Sequence, residues 1–365
     1  MCTRSLSEED KVMSPEPGFN MPNDIPETAG GTIPCPDTVD VVGIGSCVMN
    51  YVALVPELGH SQCKRHSQGL EATPGGATAL SLIQLARLNI STAWLGTLGD
   101  DDDGSRILRH LEDENIMTRG IERRDGMRSP FSWVTVTPNG DRNTLIFPNV
   151  LSDLTAENVS ANMVGYIDNC LHFHTDIGTI PLRTTLQAIE VAHAADCMVF
   201  TDVDTDPIYL VEEVGLGRPK ELEAILQKTD ILKLCLAAAL RLSGEKTPEM
   251  ACEQLHRTYQ SRYTIVTAGR EGSCIIYDGE VWNIPALGGP AVDSTGAGGA
   301  YYGGLSYALL TGIKGESAGY FAAACAAFAC SRVGSLHLGT REEIDTILSG
   351  EEVEEAAETD LTDVL

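Results

Sequence analysis

The chain lacks three things: cysteines at metal-binding spacing, a long apolar run, and a fair share of positive charge. Its 11 cysteines are scattered, with no Cys-x-x-Cys pair, which removes the structural-zinc and dithiol-motif readings. Cys325 and Cys330 fall in an Ala-rich apolar segment, where small buried thiols are expected. No stretch reaches the roughly 20 apolar residues of a membrane span. Met1 to Lys11 is polar and acidic, unlike a secretory signal. Together these absences predict a reducing, cytoplasmic home away from membranes. Lys+Arg 25 against Asp+Glu 52 gives a formal charge of −27. Such a surface repels phosphate-rich partners and excludes a general nucleic-acid or anionic-membrane role. One local positive pocket for a small-molecule ligand stays compatible with it.

What is present is enough chain for a large core: 365 residues, 43% hydrophobic. Residues 1–38 carry Pro15, Pro17, Pro22, Pro26, Pro34 and Pro36 among Glu, Ser and Gly, and read as a disordered leader. A folded domain is expected over 39–348, opening on the apolar run Val39 to Gly45, with an acidic tail over 349–365 after a last helix at 341–348. Between these ends strands and helices alternate. Single apolar strands at 171–173, 198–200, 231–233 and 264–266 are separated by helices at 184–195, 219–228 and 248–259. This pattern predicts an α/β fold with a mostly parallel central sheet and helices on both faces. Two alternating runs, Ser132–Val136 and Asn143–Phe147, flank Pro138-Asn139-Gly140-Asp141, a strong hairpin signal. With the segment near 50–70 the hairpin region, 128–147, should form a small separate sheet. Ligands in open α/β sheets bind beyond the carboxyl ends of the strands, so the small sheet is placed to act as a lid.

The most informative segment runs from Gly288 to Tyr301: Gly-Gly-Pro-Ala-Val-Asp-Ser-Thr-Gly-Ala-Gly-Gly-Ala-Tyr. A small-residue turn feeding a helix presents unpaired N–H groups at the positive end of the helix dipole, a cradle for phosphate. Gly303 and Gly304 fall inside that helix, where each costs about 1 kcal/mol relative to Ala. Close backbone packing is the expected reason.

Here the chain resembles the ribokinase-type (PfkB) carbohydrate kinase family. Asp293 to Tyr301 is similar to the family signature Asp-Thr-x-Gly-Ala-Gly-Asp-x-Phe. Gly75-Gly76 through Ala86-Arg87-Leu88-Asn89 resembles the Gly-Gly signature, and Gly96 to Gly104 the Gly-x-x-Gly-x-Asp-x-x-Gly motif. Val266 to Gly272 resembles the nucleotide-side Val-Thr-x-Gly-x-x-Gly. The resemblance implies a ribokinase-like fold and ATP-dependent phosphate transfer to an alcohol, with Mg²⁺ and K⁺ as cofactors. It implies an anion hole at Gly296, Ala297 and Gly298, nucleotide contacts at Thr267, Gly269 and Gly272, and a monovalent-cation neighbourhood at Asp293 and Thr295. Sugar contacts are implied at Asn50, Gly75, Gly76 and Leu80, and a homodimer through the lid.

Five of the implied positions carry the wrong group. The catalytic-base aspartate is Gly299. The Mg²⁺- and phosphate-organising Asn and Glu are Cys235 and Ala238. The sugar-binding Asp and Asn are Asn50 and Leu80. Glycine accepts no proton, and loss of a general base costs about 10²–10⁴-fold in rate. Cys235 and Ala238 offer no hard oxygen to Mg²⁺, and Leu80 leaves sugar hydroxyls unpaired. The expectation is a pseudokinase with residual nucleotide or ligand binding. The alternative is an active sugar or nucleoside kinase using a displaced base such as Asp202, Asp204 or Asp206. His172 and His174 are expected as core or rim residues, Asp100 to Asp103 as a helix-capping turn, and Trp94, Trp133 and Trp282 as packing.

Overall fold

A computed structural model describes residues 39–59, 64–137, 142–332 and 334–350. The expected leader 1–38, the Pro138–Asp141 turn and nearly all of the acidic tail lie outside the described residues.

The strands are, in chain order, β1 Val41–Gly43, β2 Val48–Leu54, β3 Gly69–Gly75, β4 Thr92–Trp94, β5 Gly96–Gly99, β6 Ile121–Arg124 and β7 Phe131–Val136. They continue as β8 Arg142–Phe147, β9 His172–Asp176, β10 Met198–Val203, β11 Ile231–Cys235, β12 Tyr263–Thr267, β13 Ser273–Tyr277 and β14 Glu280–Ile284. Eight of them form one sheet in the order β14-β13-β12-β11-β10-β9-β1-β4. The run from β4 to β12 is parallel, and β13 and β14 add an antiparallel edge. The buried parallel strands are near-continuously apolar because helices cover both faces. The edge pair went unpredicted: a parallel core sets up no expectation of antiparallel strands beyond it.

A second sheet, β3-β2-β7-β8, stands apart from the first, as the lid reading requires. β2 runs parallel to β7, and β7 pairs antiparallel with β8. The strand β3 was not foreseen, because Gly69-Leu-Glu-Ala-Thr-Pro-Gly75 has no apolar alternation. β5 and β6 form a further two-stranded pair. Tyr51 Oη donates to Asp103 at 2.6 Å, and Arg106 donates to the Ala72 carbonyl at 2.6 Å. These bonds tie the small sheet to the helix Asp102–Asp113. Asp101 caps that helix by accepting from Gly104 N.

Helix Ala297–Leu310 packs closely on helices Ala77–Arg87 and Gly315–Cys330, and its internal glycines make this close packing fit. A Cβ on Gly303 would lie 2.5 Å from the Ser81 carbonyl oxygen, and one on Gly304 2.6 Å from Cys325 Sγ. His172 and His174 are buried in the floor beneath this helix. Their ring nitrogens bond Ser306 Oγ at 2.9 Å, and His174 Nδ1 bonds Ser81 Oγ at 3.0 Å. Trp94 is fully buried, whereas Trp133 is exposed on the small sheet and stacks on Tyr51.

Candidate active site

The carboxyl ends of β9, β10 and β11 face the start of helix Ala297–Leu310. Pairing puts Asp176, Asp202 and Lys233 side by side across the three strands. Lys233 Nζ bonds Asp202 Oδ1 at 2.7 Å, with both side chains almost fully buried. Burial still raises the Asp202 carboxyl, against the pull of Lys233. Its other oxygen, Oδ2, has no hydrogen-bond partner among the described residues. Lys233 Nζ also sits 3.5 Å from where a Cβ on Gly298 would be, so the ammonium lies beside the helix start.

Asp176 was not singled out from the sequence, although a carboxylate at a parallel strand end is the signal that could have found it. Its Oδ2 accepts from Ser46 N and Ser46 Oγ, each at 2.7 Å, from Thr78 N at 3.3 Å and from Thr78 Oγ1. A carboxylate thus closes the positive N-terminus of helix Ala77–Arg87, where it gains from the dipole. Asp204 follows β10 and is exposed in the cleft. Crowding by surrounding protein, with Asp202 and Asp176 nearby, pushes its carboxyl up to about 7. Asp206 instead caps helix Pro207–Glu212 and pairs with Arg241.

Gly299 is buried rather than lining a space. A Cβ there would lie 2.6 Å from Leu80 Cβ and 3.4 Å from the Ala77 carbonyl oxygen. Leu80 is itself only 5% exposed. One turn further on, Gly303 meets Ser81 and Gln84, as residues spaced i, i+4 share a helix face. The two helices therefore meet where a side chain at 299 would have to stand.

The other positions expected to differ from the family signatures also do structural work. Ala238 is fully buried. Cys235 Sγ accepts from Ala238 N at 3.5 Å, capping helix Leu236–Ser243. Neither arrangement suits Mg²⁺, which takes oxygen ligands. Asn50 Oδ1 accepts from Ser132 Oγ at 2.6 Å, joining β2 to β7, and its amide faces Gly75. Gly76 is the N-cap of helix Ala77–Arg87.

The far side of the cleft is built from glycine turns. Gly272, at φ +86, has the Ile284 carbonyl oxygen 2.0 Å from a would-be Cβ, so no other residue fits there. Gly269 starts the short turn between β12 and β13, and Thr267 Oγ1 donates to the Leu234 carbonyl at 3.3 Å. Gly296 is the left-handed N-cap of helix Ala297–Leu310. Ala297 N donates to the Ser294 carbonyl at 3.3 Å, leaving Gly298 and Gly299 N–H at the helix end. Gly298 is exposed. Asp293 Oδ1 accepts from Thr295 N and Oγ1, and its Oδ2 from Gly334 N at 3.0 Å. Both oxygens are already engaged, Oδ1 inside the turn and Oδ2 by the backbone of Gly334.

Comparison with known proteins adds a family. Residues 39–340 match the pfkB family of carbohydrate kinases. Fructokinase-1 of Oryza sativa subsp. japonica is 27% identical over 314 residues, covering 81% of this chain and 93% of that protein. Fructokinase-2 of Solanum lycopersicum is 26% identical, covering 85% and 96%. Among solved structures, ribokinase from Giardia lamblia superposes with a TM-score of 0.74 at 20% identity, covering 86% of this chain and 99% of that one. Arabidopsis thaliana ribokinase, solved with ribose and ATP, gives 0.70 at 19% identity, covering 85% and 99%.

Proposed function

The chain belongs to the pfkB carbohydrate kinase family, and from that premise we propose that it is a member without phosphotransferase activity, a pseudokinase. One observation carries this reading: the base position is Gly299, and Leu80 lies against it at a distance that leaves a carboxylate no room. Transfer to an alcohol needs an acceptor for the hydroxyl proton, and a glycine covered by a leucine supplies none. The loss extends to the metal side. Cys235 and Ala238 act as a helix cap and a core residue, so Mg²⁺ is not expected to organise phosphate there.

Residual nucleotide binding is part of the proposal. The turn holding Thr267, Gly269 and Gly272, and the helix start at Gly296, Ala297 and Gly298, fit an adenine nucleotide and its phosphate. With the Mg²⁺ positions lost, ATP binding should be weak and little dependent on Mg²⁺. A role for Asp293 and Thr295 beside K⁺ would rest on the Asp293 turn already described. The small sheet presents exposed Leu70, Trp133, Leu145 and Ile146, which suits lid-to-lid dimerisation.

A second reading, an active sugar or nucleoside kinase, is favoured by Asp204, an exposed cleft carboxylate raised to about 7. A group with that pKa could accept a proton near neutrality. The test is to incubate the unaltered chain with Mg·ATP and a panel of sugars and nucleosides, beside Asp204→Asn and Leu80→Asn/Gly299→Asp. The pseudokinase reading expects no phosphorylated product from the unaltered chain. Turnover that disappears in Asp204→Asn would establish the displaced base instead.

A further inference from the structure

At the end of the main sheet away from the cleft, two thiols meet. Cys170 stands just before β9 and Cys197 just before β10, and parallel pairing of those strands brings their first residues together. The two sulfurs lie 3.0 Å apart. Cys170 is 6% exposed and Cys197 3%, but Asp168, Asn169, Leu171 and Asp196 around them are exposed. The pair therefore lies one layer below the surface. Cys252 and Cys274 also meet through their side chains, but Cys252 is fully buried and Cys274 only 2% exposed.

We propose that Cys170 and Cys197 form a reversible disulfide when the chain meets a hydroperoxide. The two sulfurs are unequal partners. The Cys170 S–H donates to Cys197 Sγ, which lowers the Cys197 pKa and raises that of Cys170. Cys197 Sγ also donates to the Ile167 and Cys170 carbonyls at 3.2 and 3.0 Å, so it must lose that proton to act; Cys197 then takes the attacking role and Cys170 the resolving one. In the first step Cys197 sulfur attacks a peroxide oxygen. The O–O bond breaks, hydroxide leaves and is protonated to water, and Cys197 becomes a sulfenic acid. In the second, Cys170 sulfur attacks Cys197 sulfur. The S–O bond breaks, the S–S bond forms, and a second water leaves with the Cys170 proton. With hydrogen peroxide, two thiols are oxidised and one peroxide is reduced to two waters. The new bond would staple the beginnings of β9 and β10, enclosing helix Leu182–Ala194, and leave the cleft untouched.

The test treats the full, folded chain with hydrogen peroxide, blocks free thiols with iodoacetamide and maps the unreduced digest by mass spectrometry. The expected result is a peptide pair joining Cys170 to Cys197, lighter by two hydrogens and released by dithiothreitol. Cys170→Ser should abolish the link and leave a dimedone adduct on Cys197, and Cys197→Ser should abolish both. Recovery of Cys170 and Cys197 as alkylated thiols while other cysteines oxidise overturns the proposal. So does a link that forms only after unfolding in urea. Because the unaltered chain decides that point, a variant that fails to fold does not shelter the proposal.

Discussion

Two successive glycines at the start of one helix face different surroundings. Gly298 is exposed, with the Lys233 ammonium 3.5 Å from where its Cβ would be, whereas Gly299 is buried under Leu80. On the proposed nucleotide side of the cleft Gly269 and Gly298 are uncrowded, although Gly272 and Gly296 are pressed by neighbouring backbone. On the proposed acceptor side Leu80 packs against Gly299, and Asn50 is bonded to Ser132. The difference teaches that a glycine at a position where the proposed reading expects a carboxylate need not leave a hole. Close-packed interiors do not keep such vacancies, and here a helix pair occupies the space.

The comparison would be broken most forcefully by placing a carboxylate at 299. Gly299→Asp should cost on the order of 5 kcal/mol of stability in urea unfolding, from overpacking and an unpaired buried charge. A variant as stable as the parent would mean that the acceptor side is open. Lys233→Ala tests the floor that both sides share. It strands Asp202 without its partner, at a cost of about 3–5 kcal/mol by the same measurement. Unchanged stability there would show that the pair is not buried in solution.

Acid should act on that floor too. Burial pushes His172 down to about 3 and His174 well below 6.5. Between pH 6.5 and 3 the unfolded chain therefore binds protons that the folded chain refuses. Stability is fully present above 6.5 and is lost as pH falls below it, by about 1.4 kcal/mol per pH unit for each histidine. Urea midpoints from pH 7 to pH 4 measure the slope, and a flat profile would place the rings in water. The smallest effect is expected at the open glycine. Gly298→Ala should change stability by no more than about 1 kcal/mol, in either direction, because nothing crowds its Cβ. A larger loss would extend the closed region to the nucleotide side.

Much of this frame was legible before any coordinates. Repeated apolar strands and intervening helices gave away the parallel sheet, and the helix at 248–259 matches the observed Pro248–Tyr259. The glycines at 303 and 304 announced close packing. What could not be read was whether the space beside Gly299 was empty or filled. Leu80 and Gly299 are far apart in sequence, and only the crossing of two helices sets one against the other. Asp176 was hidden for a similar reason. Its partners Ser46 and Thr78 come from elements that meet only in three dimensions, and no local spacing marks it. Strand β3 escaped because its residues lack alternation and pair through backbone alone.

The central claim is that Leu80 fills the space a side chain at 299 would need, and a double-mutant cycle in urea between Leu80→Ala and Gly299→Ala tests it most directly. In the parent background Gly299→Ala should destabilise by about 1–3 kcal/mol, although Ala is the better helix former. In the Leu80→Ala background that penalty should shrink or reverse, giving a coupling between the two sites. An identical effect of Gly299→Ala in both backgrounds would contradict the account, because the two residues would then not share the space.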